Sequence, residues 1–346
     1  MITDFKNTDN IEDLDFEICS RAGIELLMDN KIGVIILAGG QGSRLGLDKP
    51  KGTLLLNGKS LFEIHANKIN NLTNTLNVKI PLYIMTSCNT HTDTIDFFEK
   101  NNYFNLQKGD VIFFQQGNNI CFDISENIII QGYNEKIPIH ATCPNGSGGI
   151  YKAIHESNVI HDFEKRGLKY IHIHNVDNIL VKIANPLFMG YCEVNNLDVG
   201  SKICSKEDPN ETVGIFCYKN EQPSIIEYYE LSDEIRNIRK DNGSLVYNQA
   251  NIAIYCLSIE FIRKTKDYNL PTHNAFKKIP FWDNKLNKLV KPEKENGFKP
   301  EYFIFDAFKY CEKSKMRLLR INRESEFCPI KKNEDILIAL NYLNKK

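Results

Sequence analysis

The sequence predicts an α/β protein on a mostly parallel sheet, and three observations predict it. Val34-Ile35-Ile36-Leu37 is an apolar run too short for a helix and without a polar face, as in a strand buried on both sides of a parallel sheet. Strand-like and helix-like stretches then alternate through residue 115. Residues 199–257 read as further strands separated by turns. The 346 residues can hold one large domain with small appendages. We divide them into a short N-terminal helical segment (1–30), a main domain (31–310) and a short C-terminal segment (311–346).

In chain order, residues 1–30 set Phe16, Ile18, Ile24, Leu26 and Leu27 among charges and predict one or two amphipathic helices. The buried strand then runs into Ala38-Gly39-Gly40-Gln41-Gly42-Ser43-Arg44-Leu45-Gly46, with Lys49-Pro50-Lys51 after it. Glycine admits positive φ and lets a ligand reach the main chain, and successive N–H groups in such a loop can converge on an anion. Arg44 and Lys51 add two positive charges at the same strand end. A phosphate-rich ligand fits this loop best; an ordinary glycine-rich turn is the alternative. A Walker A loop is excluded, because Thr53 stands where Gly58-Lys59-Ser60 would need its first glycine. The dinucleotide fingerprint fails by one place, at Leu45.

Gly52–Leu56 with Asn57-Gly58 reads as a short strand and turn, and Ser60 with Glu63 caps a helix through about Asn70. Strands follow at 80–86 and 111–115, with a helix at 90–100 between them. Ligands of parallel sheets sit outside the carboxyl ends of the strands. Gln116 falls there, where its amide can read a base edge by donating and accepting, or simply remain a solvated loop residue. Residues 144–152 form a second glycine-rich turn entering a helix. Ile171, Ile173 and Val176 mark another strand, with His172 and His174 on its opposite face. No third ligand accompanies them, so they are expected as sheet-face histidines. Asp177 falls just past that strand, where a carboxylate beside phosphates calls for a divalent cation; a turn aspartate is the plain alternative.

Strands at 199–204, 213–218, 225–229 and 245–257 are expected to build a wall beside this rim. Phe303 and Phe305 alternate along one face, and residues 335–343 read as a closing helix. Lys plus Arg is 43 against 44 acidic residues, so bulk charge gives no reason to expect a nucleic-acid or anionic-membrane partner. The ten cysteines form no C-x-x-C pair, which leaves zinc-ribbon and thioredoxin readings unsupported and predicts reduced thiols. No apolar run approaches 18 residues and the N-terminus lacks a signal-peptide core, so a cytoplasmic protein is expected.

The stretch LAGGQGSRLGLDKPKG resembles the nucleotide-binding loop of eukaryotic-type UDP-N-acetylhexosamine pyrophosphorylases, L-A-G-G-Q-G-T-R-L-G followed by P-K-G, with Ser43 the one difference. The likeness runs from about residue 33 to 332 through VIFFQQG, PNGSGGIYK, VDNILVKIANPLF, YNQANIA and RESEFCPIKKN. It implies a Rossmann-like nucleotidyltransferase core, glycosyltransferase-A-like, whose mostly parallel mixed sheet carries β-rich sugar-site insertions. It also implies a uridylyltransferase that joins UTP and N-acetylglucosamine 1-phosphate into UDP-N-acetylglucosamine and pyrophosphate.

By resemblance Arg44 and Lys51 are catalytic, Gly39, Gly40, Gly42, Gln116 and Gly146 bind the nucleotide, and Lys331 reaches phosphate. Ser147, Gly214, Glu227, Tyr228, Asn251, Phe303 and Phe305 match sugar-binding positions. Asp177, with Asn251 assisting, is implied to hold Mg²⁺ or Mn²⁺. The protein is expected to act as a monomer. Asn145, Ser147 and Ala250 depart from the family's Asp, Asn and Gly, and the loop at 118–140 is short. These departures favour one alternative, a catalytically weak nucleotide-sugar-binding protein; a broader UDP-sugar or UDP-glucose pyrophosphorylase is the other.

Overall fold

The apolar run does become the buried centre of the molecule: all six residues of Ile32–Leu37 are buried, and an eleven-stranded sheet forms around them. A computed structural model describes residues 2–344. The sheet strands in chain order are β1 (Ile2–Asp4), β2 (Thr8–Asn10), β3 (Ile32–Leu37), β4 (Leu82–Thr86), β5 (Val111–Gln115) and β6 (Tyr170–Asn175). They continue as β7 (Val199–Ser205), β8 (Ile215–Lys219), β9 (Gln222–Ile226), β10 (Gln249–Ser258) and β11 (Met316–Arg320). The spine runs β2-β11-β7-β10-β6-β3-β4-β5, and β10 alone in it is antiparallel to its neighbours.

Helices cover both faces, as a sheet buried on both sides requires. Val34 and Ile36 pack with α1 (Phe16–Met28), α2 (Leu61–Leu76) and α6 (Pro186–Val194). Ile35 and Leu37 face α4 (Gly149–Glu156) and α5 (Val159–Lys165); α3 (His91–Lys100) follows β4. Ser60 caps α2 by accepting the Glu63 N–H at 3.0 Å, and the helix runs on to Leu76, beyond the expected end near Asn70.

The termini differ from expectation. Residues 1–30 contribute one helix, α1, and also two strands: β2 pairs in parallel with β11, and β1 pairs with β8. The lines drawn at residues 30 and 310 therefore cut through the sheet, since β1, β2 and β11 lie outside them. The expected wall is also corrected. β7 and β10 are strands of the spine itself, and only the β8–β9 hairpin stands off it, joined to β10 through the single pair Ile215↔Ala250. The wall is built by other segments. Asn118–Ile120, Phe122–Asp123 and Thr142–Pro144 combine with His273–Lys277 and Gly297–Glu301 around a satellite core of Cys121, Ile129, Ala141, Cys143 and Ile279.

One buried ion pair fixes the C-terminal segment. Lys202 Nζ lies 2.6 and 2.7 Å from the two carboxylate oxygens of Glu326, both side chains almost wholly buried. Losing either partner would leave an uncompensated buried charge. Asn178 binds the same segment, donating to Glu326 O at 2.8 Å and accepting the Cys328 N–H at 3.0 Å. All ten cysteines are unpaired, only Cys88 exposed. No described helix is long and apolar enough to cross a membrane.

His65 on α2 and His172 and His174 on β6 form a fully buried cluster with ring centroids about 5 Å apart. Only His65 Nε2, against Val176 O at 2.9 Å, has a hydrogen-bond partner. Burial pushes His65 and His172 down to about 3 and His174 well below its ordinary value. The unfolded chain therefore binds protons that the fold excludes, so this stability is present above about pH 6.5 and is lost as pH falls toward 3. Each such group is worth about 1.4 kcal/mol per pH unit within that window. Urea denaturation between pH 6.5 and 5 should show steep destabilisation, and His172→Leu should reduce the slope by about one proton. A pH-independent unfolding free energy there would contradict the cluster's neutrality.

Candidate functional site

Because β3, β4, β5 and β6 are parallel, their carboxyl ends open onto one rim, and the antiparallel β10 brings its first residues to the same edge. An open pocket of about 410 Å³ lies there, bordered by Gly39, Gly40, Lys51, Gln116, Gly146, Ser147 and Asp177. Residues nominated from four separate stretches of sequence thus converge. A second cavity of about 420 Å³ on the other side of α4 contains none of these seven.

The glycine loop is closed on itself. Gly42 N–H donates to Lys49 O at 3.2 Å, Lys51 N–H donates to Gly40 O at 3.2 Å, and Gln41 bridges Pro50. Gly42 serves this closure, because a side chain there would strike Leu47, and it does not border the pocket. Gly39 has a different task. A Cβ on it would lie 2.7 Å from Gln116 Nε2, so the bare glycine lets the buried Gln116 amide lie against the loop. Ser87 Oγ donates to Gly39 O at 2.7 Å and fixes the loop's exit from β3.

Lys51 and Asp177 meet directly, Nζ to Oδ2, at 2.8 Å across 126 positions of sequence, with side chains 18% and 13% exposed. Ile330 N–H donates to Asp177 O at 3.0 Å, so the segment held by Lys202 and Glu326 runs beside this aspartate and leads to Lys331. Arg44 stands exposed on the loop and does not border the pocket, but its charge acts on Glu301. Burial raises the Glu301 carboxyl, and Lys277, Lys299 and Arg44 oppose that rise.

Gly146 takes φ +86°, and a Cβ there would sit 2.5 Å from Tyr302 O. Ser147 Oγ accepts the Ile304 N–H at 3.2 Å, and Gly148 N–H donates to Tyr302 O at 2.9 Å, so the second glycine turn is sewn to residues 302–304. Asn145 is buried with its Oδ1 unpartnered in the protein.

A second group continues the trough. Glu227 Oε1 would lie 3.1 Å from a Cβ on Gly214, whose carbonyl accepts the Asn251 N–H at 2.8 Å. Burial raises the Glu227 carboxyl, and Lys331 counters it, so these nominated residues share one field. Phe303 stacks against His273 and tilts against Phe305, centroids 4.4 and 5.1 Å away. The expected alternation of the two phenylalanines is corrected: they flank and enter a 3₁₀ turn, Ile304–Tyr310, and Phe305 belongs to the apolar core. Tyr228 is exposed, with its ring against Tyr229.

Asp177 supplies one carboxylate, and among the described residues no three His, Cys, Asp or Glu side chains group as a cage. A single carboxylate suits Mg²⁺ or Mn²⁺, hard cations that commonly take only one or two carboxylates from a protein. Asn251 does not fit as the assisting ligand. Its Oδ1 accepts from Ala253 N–H at 3.1 Å and Tyr255 hydroxyl at 2.9 Å, which uses both lone pairs and leaves Nδ2 to meet a ligand. Sequence reasoning missed Lys299, Glu301, Asn89 and Asn175 in the pocket wall and His273 beside Phe303. The stretch FKPEYF was the one signal for Lys299 and Glu301.

A family model described as UTP–glucose-1-phosphate uridylyltransferase matches residues 4–345. The UDP-N-acetylglucosamine pyrophosphorylase of Saccharomyces cerevisiae is 38% identical over 321 residues, 90% of this chain; the chain spans 66% of that relative's length. A probable UDP-N-acetylglucosamine pyrophosphorylase of Encephalitozoon cuniculi is also 38% identical, over 91% of this chain and 85% of its own. The crystal structure of a protein from Entamoeba histolytica, described as a putative UDP-N-acetylglucosamine pyrophosphorylase, superposes with a TM-score of 0.88 at 30% identity. It covers 98% of this chain and 87% of that one.

Gly146→Ala should lose about 1–3 kcal/mol from its backbone conformation, before any collision with Tyr302 is counted. Ser147→Ala should lose only about 1 kcal/mol, that of one hydrogen bond. Urea midpoints of the two variants check this ordering, and equal losses would contradict it.

Proposed function

The chain belongs to the UTP–glucose-1-phosphate uridylyltransferase family, and on that premise we propose that it makes UDP-N-acetylglucosamine and pyrophosphate from UTP and N-acetylglucosamine 1-phosphate. The observation that carries the proposal is the convergence of the closed glycine loop, Gln116, Lys51 and Asp177 on one rim. A phosphate oxygen of the sugar phosphate attacks the α-phosphorus of UTP, and the bond from that phosphorus to the bridging oxygen breaks to release pyrophosphate. Such a displacement requires placement and charge neutralisation rather than a covalent group.

Each residue then has a task. Gln116, lying on Gly39, is suited to read the uracil edge, and Gly146 lets the main chain approach the base. The loop N–H groups not used in its own closure are suited to phosphate. Lys51 is a point charge for the α-phosphate, and Arg44 reaches the leaving pyrophosphate from the mouth of the trough with its planar fork. Lys331 adds charge from the other side. Glu227, Asn251 Nδ2 and Ser147 are groups for sugar hydroxyls and the acetamide, with Phe303 beside them. A magnesium or manganese ion on Asp177 would supply neutralisation of phosphate charge when bound. Lys51 and Asp177 already pair, so Lys51 must exchange part of that contact for phosphate as substrate enters. We take the protein to act as a monomer in the cytoplasm, in keeping with its ten unpaired cysteines.

Pyrophosphate release with UTP and Mg²⁺ should be rapid with N-acetylglucosamine 1-phosphate and weak with glucose 1-phosphate. Arg44→Ala and Lys51→Ala should each cost about 10²- to 10³-fold in turnover, the scale of losing one preorganised charge-stabilising group. Release only with glucose 1-phosphate would overturn the sugar assignment. Near-normal turnover in Arg44→Ala with the fold intact would overturn its role.

A further inference from the structure

His273 has no role in the reading above, yet its ring sits where two nominated residues meet. Its Nδ1 lies 3.3 Å from Glu230 Oε1 and its Nε2 lies 2.9 Å from Asp306 Oδ2, while its face stacks on Phe303. A carboxylate is an acceptor only, so both ring nitrogens must donate, and the ring that satisfies both is the imidazolium. The two carboxylates carry the connection further. Glu230 Oε2 accepts the Glu227 N–H at 3.1 Å, and Asp306 Oδ2 accepts the Phe303 N–H at 3.3 Å. The backbone of Glu227 and the backbone of Phe303 are thus joined through Glu230, His273 and Asp306.

These groups come from three separated stretches. Glu227 and Glu230 follow β9 on the hairpin that stands off the spine, His273 begins the strand His273–Lys277, and Asp306 lies in the turn after Glu301. The hairpin's sheet pairing to β10 is a single residue pair, and β1 together with the burial of Phe216 and Ile225 in the core supplies its other anchors.

We propose that His273 is a positioning residue that sets affinity for the sugar phosphate by strapping the Glu227 wall of the trough to the Phe303 wall at a fixed separation. This rests on the reading of Glu227 and Phe303 as the sugar side of the site. The charged groups that face the strap are Glu227, Glu230, Asp306, Glu301, Lys219 and Lys331. Burial opposes the ring's charge, but the hydrogen bonds to Asp306 and Glu230 outweigh it and hold His273 up at about 9. The strap is therefore complete at neutral pH and is lost as pH rises through about 9.

The test uses His273→Phe, which keeps an aromatic face for Phe303 and removes both hydrogen bonds. Amide hydrogen exchange in the whole protein should speed up at least tenfold at Glu227 and Phe303, with the loop at 38–46 unaffected. The KM for N-acetylglucosamine 1-phosphate should rise about tenfold with the KM for UTP within twofold. In the native protein the KM for the sugar phosphate should climb above pH 9, and in the variant it should not. Unchanged exchange at both amides overturns the strap whether or not the protein turns over a sugar phosphate. Faster exchange at those amides with an unchanged sugar KM leaves the strap standing and overturns its assignment to the sugar. Equal rises in both KM values reduce His273 to general stability and overturn the proposal.

Discussion

The Lys51–Asp177 contact is the constraint on which the site depends. One partner ends the glycine loop after β3 and the other ends β6, and the two can meet only where those strands lie side by side and parallel. A carboxylate and an ammonium at 2.8 Å, both largely shielded from water, interact more strongly than an exposed pair would. The same contact leaves each charge a short displacement from a phosphate or a cation. The arrangement satisfies the site when empty without removing its two most reactive charges.

Support for that rim comes from well below it. Lys202 and Glu326 form a buried pair that commits the segment 322–331 to one path, and that path delivers a backbone hydrogen bond to Asp177 and carries Lys331 past it. Asn178, next to Asp177, uses its whole side-chain amide to fix the same segment. The sheet therefore positions Asp177 from one side and the C-terminal segment positions it from the other. On the far side of the trough, the turn at Gly146 and Ser147 is sewn to residues 302–304, so the glycine turn and the Phe303 segment are tied into one unit.

How much of this was legible in the sequence follows from how local each feature is. The strand Ile32–Leu37, the Ser60 cap and the rim position of Asp177 depend on residues within a few places of one another, and each was readable. β2 was not, because Thr8-Asp9-Asn10 is polar and becomes a strand only by pairing with β11, over 300 residues away. Phe303 and Phe305 show the opposite error: their alternation suggests that they share one face, where the chain makes a 3₁₀ turn. Lys299, Glu301 and His273 lie on strands whose partners are supplied by tertiary pairing, so no spacing announced them. Asn251 was implied as a metal ligand by resemblance alone, and in the structure Ala253 and Tyr255 already occupy its oxygen.

The most direct test of the account is phosphorus NMR of UTP bound to the protein with Mn²⁺ in trace amount, comparing native protein with Asp177→Asn. Paramagnetic broadening of the α-phosphorus that is strong in the native complex and largely lost in the variant, with UTP still bound, is the predicted result. Equal broadening in both would contradict it, and would mean that the cation and the reacting phosphorus do not meet at the end of β6.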